Sequence, residues 1–353
     1  MRQTILCSFA VLSTLSFTPL ALAGGTSTVM YWGTLAGTQQ TIPSELLPAG
    51  AIRTLVGGSA HVVAIKSDGS VRAWGYNDSG QANVPALLLQ AGAVRQVEAG
   101  DRSSIALTTS GAVVAWGNND WGQVNVPASL ATPGAASMVA AGGSHCAALR
   151  MSGGVVCWGY GFWGQTSTPV AMTAAGAAIA VCCGGEHTLA IRSDGSVTAW
   201  GGGSTTAGTY PQWGQSIVPA THAAAGSTLQ IACGWGHSVA LRSDGTVTCW
   251  GFNSAGQATT PEGLLDIKKV AAGYWHTLAL RNDGTVIAWG NNNAGQSNPP
   301  ALLVHAADIA ASYDGSFAIG AIEPACAADL NGDGLVNGSD LVPLLNSWGV
   351  CPN

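Results

Sequence analysis

Residues 270–300 read VAAGYWHTLALRNDGTVIAWGNNNAGQSNPP, and the fold follows from how this stretch divides. A short apolar piece ends at Gly273, and a second runs from His276 to Leu280. After a turn at Asp283-Gly284, a third piece of alternating character ends in Trp289-Gly290. A Gly-Gln pair and a proline then mark a looser fourth piece. Two apolar runs joined through Asp-Gly are a strong hairpin signal, because a tight turn with positive φ suits Asp or Asn followed by Gly. The pattern recurs along the whole chain. Trp-Gly stands at Trp32, Trp74, Trp116, Trp158, Trp200, Trp250 and Trp289, with gaps of 42, 42, 42, 42, 50 and 39 residues. Asp68-Gly69, Asp194-Gly195 and Asp244-Gly245 repeat the turn, with Ser110-Gly111 and Ser152-Gly153 in the equivalent places. Units of about 40 residues carrying four strands are the signature of a β-propeller.

The two ends of the repeat region predict how the ring closes. Residues 309–319 match only the first half of a unit, and residues 29–43 match only the second half. Together they complete a seventh blade. The expected fold is therefore an all-β, seven-bladed propeller closed by pairing of its N- and C-terminal half-blades, which hides edges that would otherwise template aggregation.

Composition agrees with this and bounds the function. Charged residues are 8% of the 353, glycine contributes 49, and the net charge is −6. That balance suits close-packed short strands, and it offers no basic surface for nucleic acid. Met1-Arg2, the apolar stretch 5–22 and Ala21-Leu22-Ala23 read as an export signal cleaved after Ala23, so the chain is expected to be secreted. No later stretch is long and apolar enough to span a bilayer. The expected organisation is a signal peptide (1–23), a propeller (24–322) and a tail (323–353).

An exported chain can keep disulfides. Cys326 and Cys351 bracket the tail and form a plausible staple. Cys146, Cys157, Cys182, Cys183, Cys233 and Cys249 lie in repeat strands, where the plainer reading is small buried apolar residues.

These units resemble the repeats of the RCC1 (regulator of chromosome condensation) family. The resemblance rests on G-x-x-H-[TS]-x-A-L, then D-G-x-V-x-x-W-G, then G-Q, as at 273–280, 283–290 and 295–296, and covers residues 29–320. It implies a seven-bladed propeller that binds protein partners. The export signal, acidic balance and lack of a basic arm set this chain apart from chromatin-associated members that promote nucleotide exchange on a small GTPase. Its setting is more similar to secreted bacterial members, which include a protein inhibitor of β-lactamases.

Within this frame, His61, His145, His187, His237 and His276 share one repeat position, taken by Ser103 and Gly315 in the other two units. One histidine per blade fits a structural hydrogen-bonder between blades better than a metal site, which needs ligands converging on one ion. His222 and His305 are isolated and expected to be exposed. The seven Trp-Gly tryptophans are packing residues. The other aromatics cluster elsewhere: in a meander the first and third connections emerge at one face, and the Asp-Gly turns emerge opposite. The pairs before the histidine position vary freely: Ser59-Ala60, Asp101-Arg102, Gly143-Ser144, Gly185-Glu186, Trp235-Gly236, Tyr274-Trp275 and Tyr313-Asp314. The third connections add Tyr76, Trp121, Tyr160, Phe162, Trp163, Tyr210, Trp213 and Phe252. Aromatics on an exposed rim supply large contact area at low conformational cost. The expected binding surface for a protein or glycan partner is thus Trp235, Tyr274, Trp275, Tyr313 and Asp314, extended by Trp121, Trp163 and Trp213; the alternative is that these rings pack against neighbouring loops. The insert at 202–212 sits on the same face. No G-x-S-x-G, H-E-x-x-H or phosphate loop occurs, and no catalytic residue is assigned. A carbohydrate-active site on the rim, using Glu186 and Asp314, and a passive structural role remain the competing readings.

The tail carries its own motif. Asp329, Asn331, Asp333, Asn337 and Asp340 occupy positions 1, 3, 5, 9 and 12 of a calcium loop, with Gly334 at the sharp turn and the Leu335 carbonyl at position 7. Residues 341–348 read as a short amphipathic helix. The segment resembles one half of a dockerin, which implies Ca2+ binding and docking to a cohesin-like receptor; attachment at the cell surface is an equal reading for a solitary half.

Overall fold

The structure, a computed structural model, describes residues 27–34, 41–48, 50–226 and 228–322. The export segment, the calcium-loop residues Asp329, Asn331, Asp333, Leu335, Asn337 and Asp340, and the pair Cys326 and Cys351 lie outside the described residues. What is described forms seven antiparallel three-stranded sheets. Six of them are consecutive meanders. In the sixth, the inner strand Ile267–Ala272 pairs with His276–Arg281, which pairs with Val286–Gly290. The seventh joins the chain's ends: Leu303–Ala311 and Asp314–Ile322 form a hairpin, and Ser27–Thr34 adds as its third strand. Val29 stands opposite Ile319 and Tyr31 opposite Phe317. This closing blade packs on both neighbours. Val29, Ala310 and Phe317 share a core with Leu55 and Val62 of blade 1, while Trp32, Ile309 and Ala318 share one with Leu278 and Leu280 of blade 6.

The fourth piece of each unit differs from expectation. It is not a strand, and in five units it is a single helical turn beginning after a proline: Ser44–Leu46, Ala86–Leu89, Ala128–Leu130, Val170–Thr173 and Ala220–Ala223. Proline cannot donate to a ladder, so the chain leaves the sheet edge there. The turn drives one side chain under the blade; Leu46, Leu88, Leu130 and Met172 are each at most 1% exposed. His222 occupies this same position in blade 4 and, contrary to expectation, is buried, bonded to Thr228 Oγ1 at 2.9 Å and stacked on Trp250. His305 is exposed as anticipated.

The Asp-Gly turns also work differently. Gly69 takes positive φ (+82°), but Asp68 does not; instead its carboxylate accepts from Ser70 N (2.8 Å) and Ser70 Oγ (2.6 Å). Lys66 N–H reaches Ser70 C=O while Gly69 N–H returns to Lys66 C=O, giving a three-residue turn with a bulge at glycine. Asp194, Asp244 and Asp283 hold the following Ser or Thr in the same way.

Near the axis only small residues fit. Each inner strand ends on Gly, Ala or Cys, followed by Gly or Ser, because seven strands converge there. Cys182 and Cys233 sit on adjacent inner strands with Cα atoms 6.1 Å apart and form a disulfide across blades 4 and 5. This corrects the view of every propeller cysteine as a plain apolar residue; Cys146, Cys157 and Cys249 remain thiols, and burial pushes each up to about 12. No helix among the described residues is long and apolar enough to cross a membrane.

The N-terminal strand is the seam of the ring. A chain truncated to begin at residue 41 would bare the edge of Asp314–Ile322 and open two cores. We expect a lower melting temperature and self-association through the exposed edge in size-exclusion chromatography with light scattering.

Candidate functional site

The framework that carries the rim is a repeated hydrogen-bond relay between blades. His61 Nε2 meets Ser104 Oγ of the next blade at 2.9 Å, and Ser104 Oγ donates to Gln81 C=O at 2.9 Å. Trp116 Nε1 donates to the same carbonyl at 2.9 Å. The set recurs as His145–Thr188–Gln165–Trp200, His187–Ser238–Gln215–Trp250, His237–Thr277–Gln257–Trp289 and His276–Ser316–Gln296–Trp32. Since the hydroxyl gives its one proton to the carbonyl, each histidine must donate through Nε2, which leaves Nδ1 bare and unpartnered. A protonated ring would need an acceptor at Nδ1 that is not there. Burial accordingly depresses His61 to about 4, and His145, His187, His237 and His276 to about 3. The ring also explains the glycine three residues earlier: a Cβ on Gly184 or Gly273 would stand 2.2 or 2.1 Å from the imidazole Cε1. Where Gly315 replaces the histidine, the Tyr31 ring fills the space.

The glutamine of Gly-Gln serves twice. Besides its carbonyl, its side-chain Oε1 accepts from the backbone two residues earlier, as Gln123 does from Trp121 N (3.0 Å) and Gln165 from Trp163 N (3.0 Å). That bond fixes the third connection and hence the ring just before it.

Above the relay, backbone links pass from one first connection to the next around the funnel mouth. Asp101 N–H donates to Gly143 C=O (3.2 Å), Gly143 to Gly184 (3.1 Å) and Gly185 to Trp235 (3.0 Å). Trp235 donates to Tyr274 (3.4 Å), Tyr274 to Ser312 and Tyr313 (3.2 Å each), and Tyr313 to Gly58 of blade 1 (3.4 Å). Ser59 Oγ donates to Asp101 C=O. The variable pairs therefore ride on a fixed circle.

On that circle the aromatic residues form one continuous chain. From the outer end, ring centroids lie 4.7 Å apart between Trp121 and Tyr160, 6.4 Å between Tyr160 and Phe162, and 4.9 Å between Phe162 and Trp163. Trp163 meets Tyr210 at 6.1 Å, and Tyr210 meets Trp213 and Trp235 at 5.5 and 5.4 Å. Trp235 stacks on Tyr274 at 4.8 Å, and Tyr274 meets Trp275 at 5.3 Å and Tyr313 at 3.9 Å. The aromatic residues expected on the rim thus come together, with Phe252 packed on Trp213, except Tyr76, which stands apart under the Arg102 guanidinium. Trp121 (57%), Phe162 (73%) and Tyr210 (47%) are the exposed members; Trp163, Trp213, Trp235, Tyr274, Trp275 and Tyr313 are half-buried by their neighbours. Tyr210, from the insert at 202–212, bridges the two halves of the chain. Sequence spacing places it on the face but does not show that it is the link.

Three carboxylates stand among these rings. Glu186 accepts from Tyr210 OH and Gln165 Nε2, and Asp314 accepts from Gln296 Nε2 at 2.9 Å. Asp101 has no hydrogen bond to its carboxylate and no ion pair among the described residues. Burial raises all three, Asp101 to about 6. Of the three only Asp101 lines the funnel mouth, a cavity of about 60 Å³ bordered also by Trp235, Tyr274 and Tyr313. Among the described residues no three His, Cys, Asp or Glu side chains converge as a metal site.

The geometry can be set beside known proteins. The family model of the regulator of chromosome condensation (RCC1) repeat matches residues 52–81, 94–123, 178–205, 229–257 and 267–296. The chain is similar in fold to Prp20p from Saccharomyces cerevisiae (17% identity, TM-score 0.64, covering 92% of this chain and 95% of that one). It is also similar to human WBSCR16 (19%, 0.62, covering 83% and 98%). A third likeness is to the CRINKLY WD40 ectodomain of the Arabidopsis thaliana receptor kinase ACR4 (22%, 0.54, covering 75% and 91%). No curated protein sequence matches the chain.

The relay sets a pH dependence. With His187 depressed to about 3 against an unfolded value near 6.5, the unfolded chain binds more protons between those limits. The histidine's contribution is complete above about pH 6.5 and shrinks as pH falls. His187→Gln should cost about 1–3 kcal/mol at pH 8. By pH 5 its deficit should shrink by about 2 kcal/mol, at ~1.4 kcal/mol per unit. Urea unfolding at the two pH values measures both.

Proposed function

The chain is a propeller of the RCC1 repeat family, and on that premise we propose that it is an exported, non-catalytic binding module whose aromatic rim takes a protein partner. The observation that carries this is the unbroken aromatic chain from Trp121 to Tyr313 on one face. Rings packed edge to face and held by bonded loops lose little entropy on binding. A solvent-exposed Phe162 and Trp121 beside half-buried neighbours is the arrangement of a binding surface more than of a core. Likeness of fold adds support: yeast Prp20p binds Gsp1p and histones, and has been crystallised with Kap60. Those partners belong to that protein; here the acidic balance and the export signal favour an extracellular one. A glycan is the second ligand class the rings suit, on the outer stretch Trp121–Tyr160–Phe162, where exposure is greatest.

An enzymatic reading draws less support. Glu186 is held by Tyr210 and Gln165, and Asp314 by Gln296, so both carboxylates are already engaged by hydrogen-bond donors.

In this proposal the tail, through Asp329, Asn331, Asp333, Asn337, Asp340 and the Leu335 carbonyl, binds one Ca2+ and attaches the propeller to a cohesin-like or other cell-surface receptor. Calorimetric titration of the mature chain should find one Ca2+ site. Asp333→Ala should abolish it without changing the far-ultraviolet circular dichroism of the propeller.

The rim is tested by crosslinking capture from the native cell envelope. Trp235→Ala with Tyr274→Ala should abolish capture of whatever the wild type takes. An Arg72→Ala variant, away from the rim, should leave it intact. Undiminished capture by the double variant would reject the rim as the binding face.

A further inference from the structure

We propose that the funnel mouth is a cation socket, in which the ammonium of a lysine side chain on the protein partner sits between the Asp101 carboxylate and the rings of Trp235, Tyr274 and Tyr313. The inference deepens the rim reading and rests on it.

Asp101 is the unusual group. It stands at a position held by Ser59, Gly143, Gly185, Trp235, Tyr274 and Tyr313 in the other blades, and its backbone is fixed on both sides by Ser59 and Gly143. It is half-buried at the mouth, burial raises its carboxyl to about 6, and it has neither hydrogen bond nor ion pair among the described residues. A carboxylate so placed is costly unless a charge of opposite sign arrives. The nearest cation in sequence, Arg102, does not supply it; its guanidinium lies over the Tyr76 ring, 5.6 Å from the centroid.

The surroundings define the missing charge. Asp101 is the one carboxylate residue lining the mouth, and its field reaches Glu186, Tyr210, Tyr274 and Tyr313. Opposite Asp101 the wall is aromatic, and electron-rich rings attract a cation strongly once it is desolvated. Gly143 and Gly185 place no side chain beside Asp101; a Cβ on Gly143 would stand 3.5 Å from Asp101 Oδ2. Access is thus open on that side.

Size selects the kind of cation. The cavity of about 60 Å³ takes a methylammonium group. Lysine presents a compact charge on a thin stem, whereas arginine is a broad planar fork that wants a bidentate partner. One isolated carboxylate above a narrow mouth suits the first.

The test uses Nα-acetyl-lysine methylamide titrated into the mature chain, followed by tryptophan fluorescence and by tyrosine ring shifts in NMR. Saturable binding is expected. The neutral norleucine analogue should bind at least about tenfold more weakly, and Asp101→Asn should weaken the lysine compound by about tenfold or more. Asp101→Asn should at the same time melt no lower than wild type, since it removes an unsatisfied charge. Equal affinity for the norleucine or arginine analogue, retained affinity in Asp101→Asn, preferential saturation by a neutral oligosaccharide, or no saturation at all would each overturn the socket. Partner capture that persists in Asp101→Asn but fails in the Trp235/Tyr274 double variant would sink the socket alone. Lysine binding with capture unaffected by the double variant would sink the rim reading instead.

Discussion

Everything in the propeller hangs from the hydroxyl that stands between a histidine and a glutamine carbonyl. In five of the blade junctions one Ser or Thr oxygen accepts from imidazole Nε2 and donates to Gln C=O, where the indole of the same blade also lands. The bonds are fully buried, so leaving any partner unsatisfied costs the desolvation of that group as well as the bond. At those five junctions each blade is thereby keyed to the next. A three-stranded sheet has too little area of its own to be stable, and the keying turns seven such sheets into one core.

The same relay accounts for what the rim can vary. Its members lie at the ends of strands and in the Gly-Gln turn, so they fix the start and finish of every connection on one face and leave the middle free. The circle of bonds around the mouth then consumes main-chain donors and acceptors and, apart from the Ser59 hydroxyl that reaches Asp101 C=O, asks nothing of side chains. Asp101, Gly143, Gly185, Trp235, Tyr274 and Tyr313 can occupy equivalent places because their links in the circle are made by backbone alone. Aromatic rings accumulate in blades 2 to 7, from Trp121 to Tyr313, with carboxylates half-buried between them. A rigid frame with substitutable tips is a sound basis for recognition, since little order is left to impose on binding.

Much of this was legible in the sequence, for reasons particular residues make plain. Trp32 and Trp289 announce the repeat because an indole that must reach a carbonyl in the neighbouring blade cannot be replaced by another large ring. The half-units at 29–43 and 309–319 announce closure because strand pairing needs complementary halves. The parity of connections in a meander put Trp235, Tyr274 and Tyr313 on one face. The errors share a cause. Asp68 and Pro85 belong to local motifs that admit two conformations, and contacts beyond the motif chose: a side-chain bond to Ser70 in one case, a helical turn burying Leu88 in the other. His222 looked isolated in sequence because its partners, Thr228 and Trp250, are brought to it only by the blade. Cys182 and Cys233, 51 residues apart, could be matched only once two inner strands lay side by side.

The amino-acid sequence by itself determined the number of blades, the seam between the chain's ends and the face on which the aromatic residues gather, since periodicity and strand alternation are local properties repeated many times over. Only the tertiary structure decided that Tyr210 joins two aromatic groups into one, and that Asp101 is left half-buried and unpaired beside them. Burial and the lack of a counter-charge are sums over residues from several blades, and no one repeat contains them.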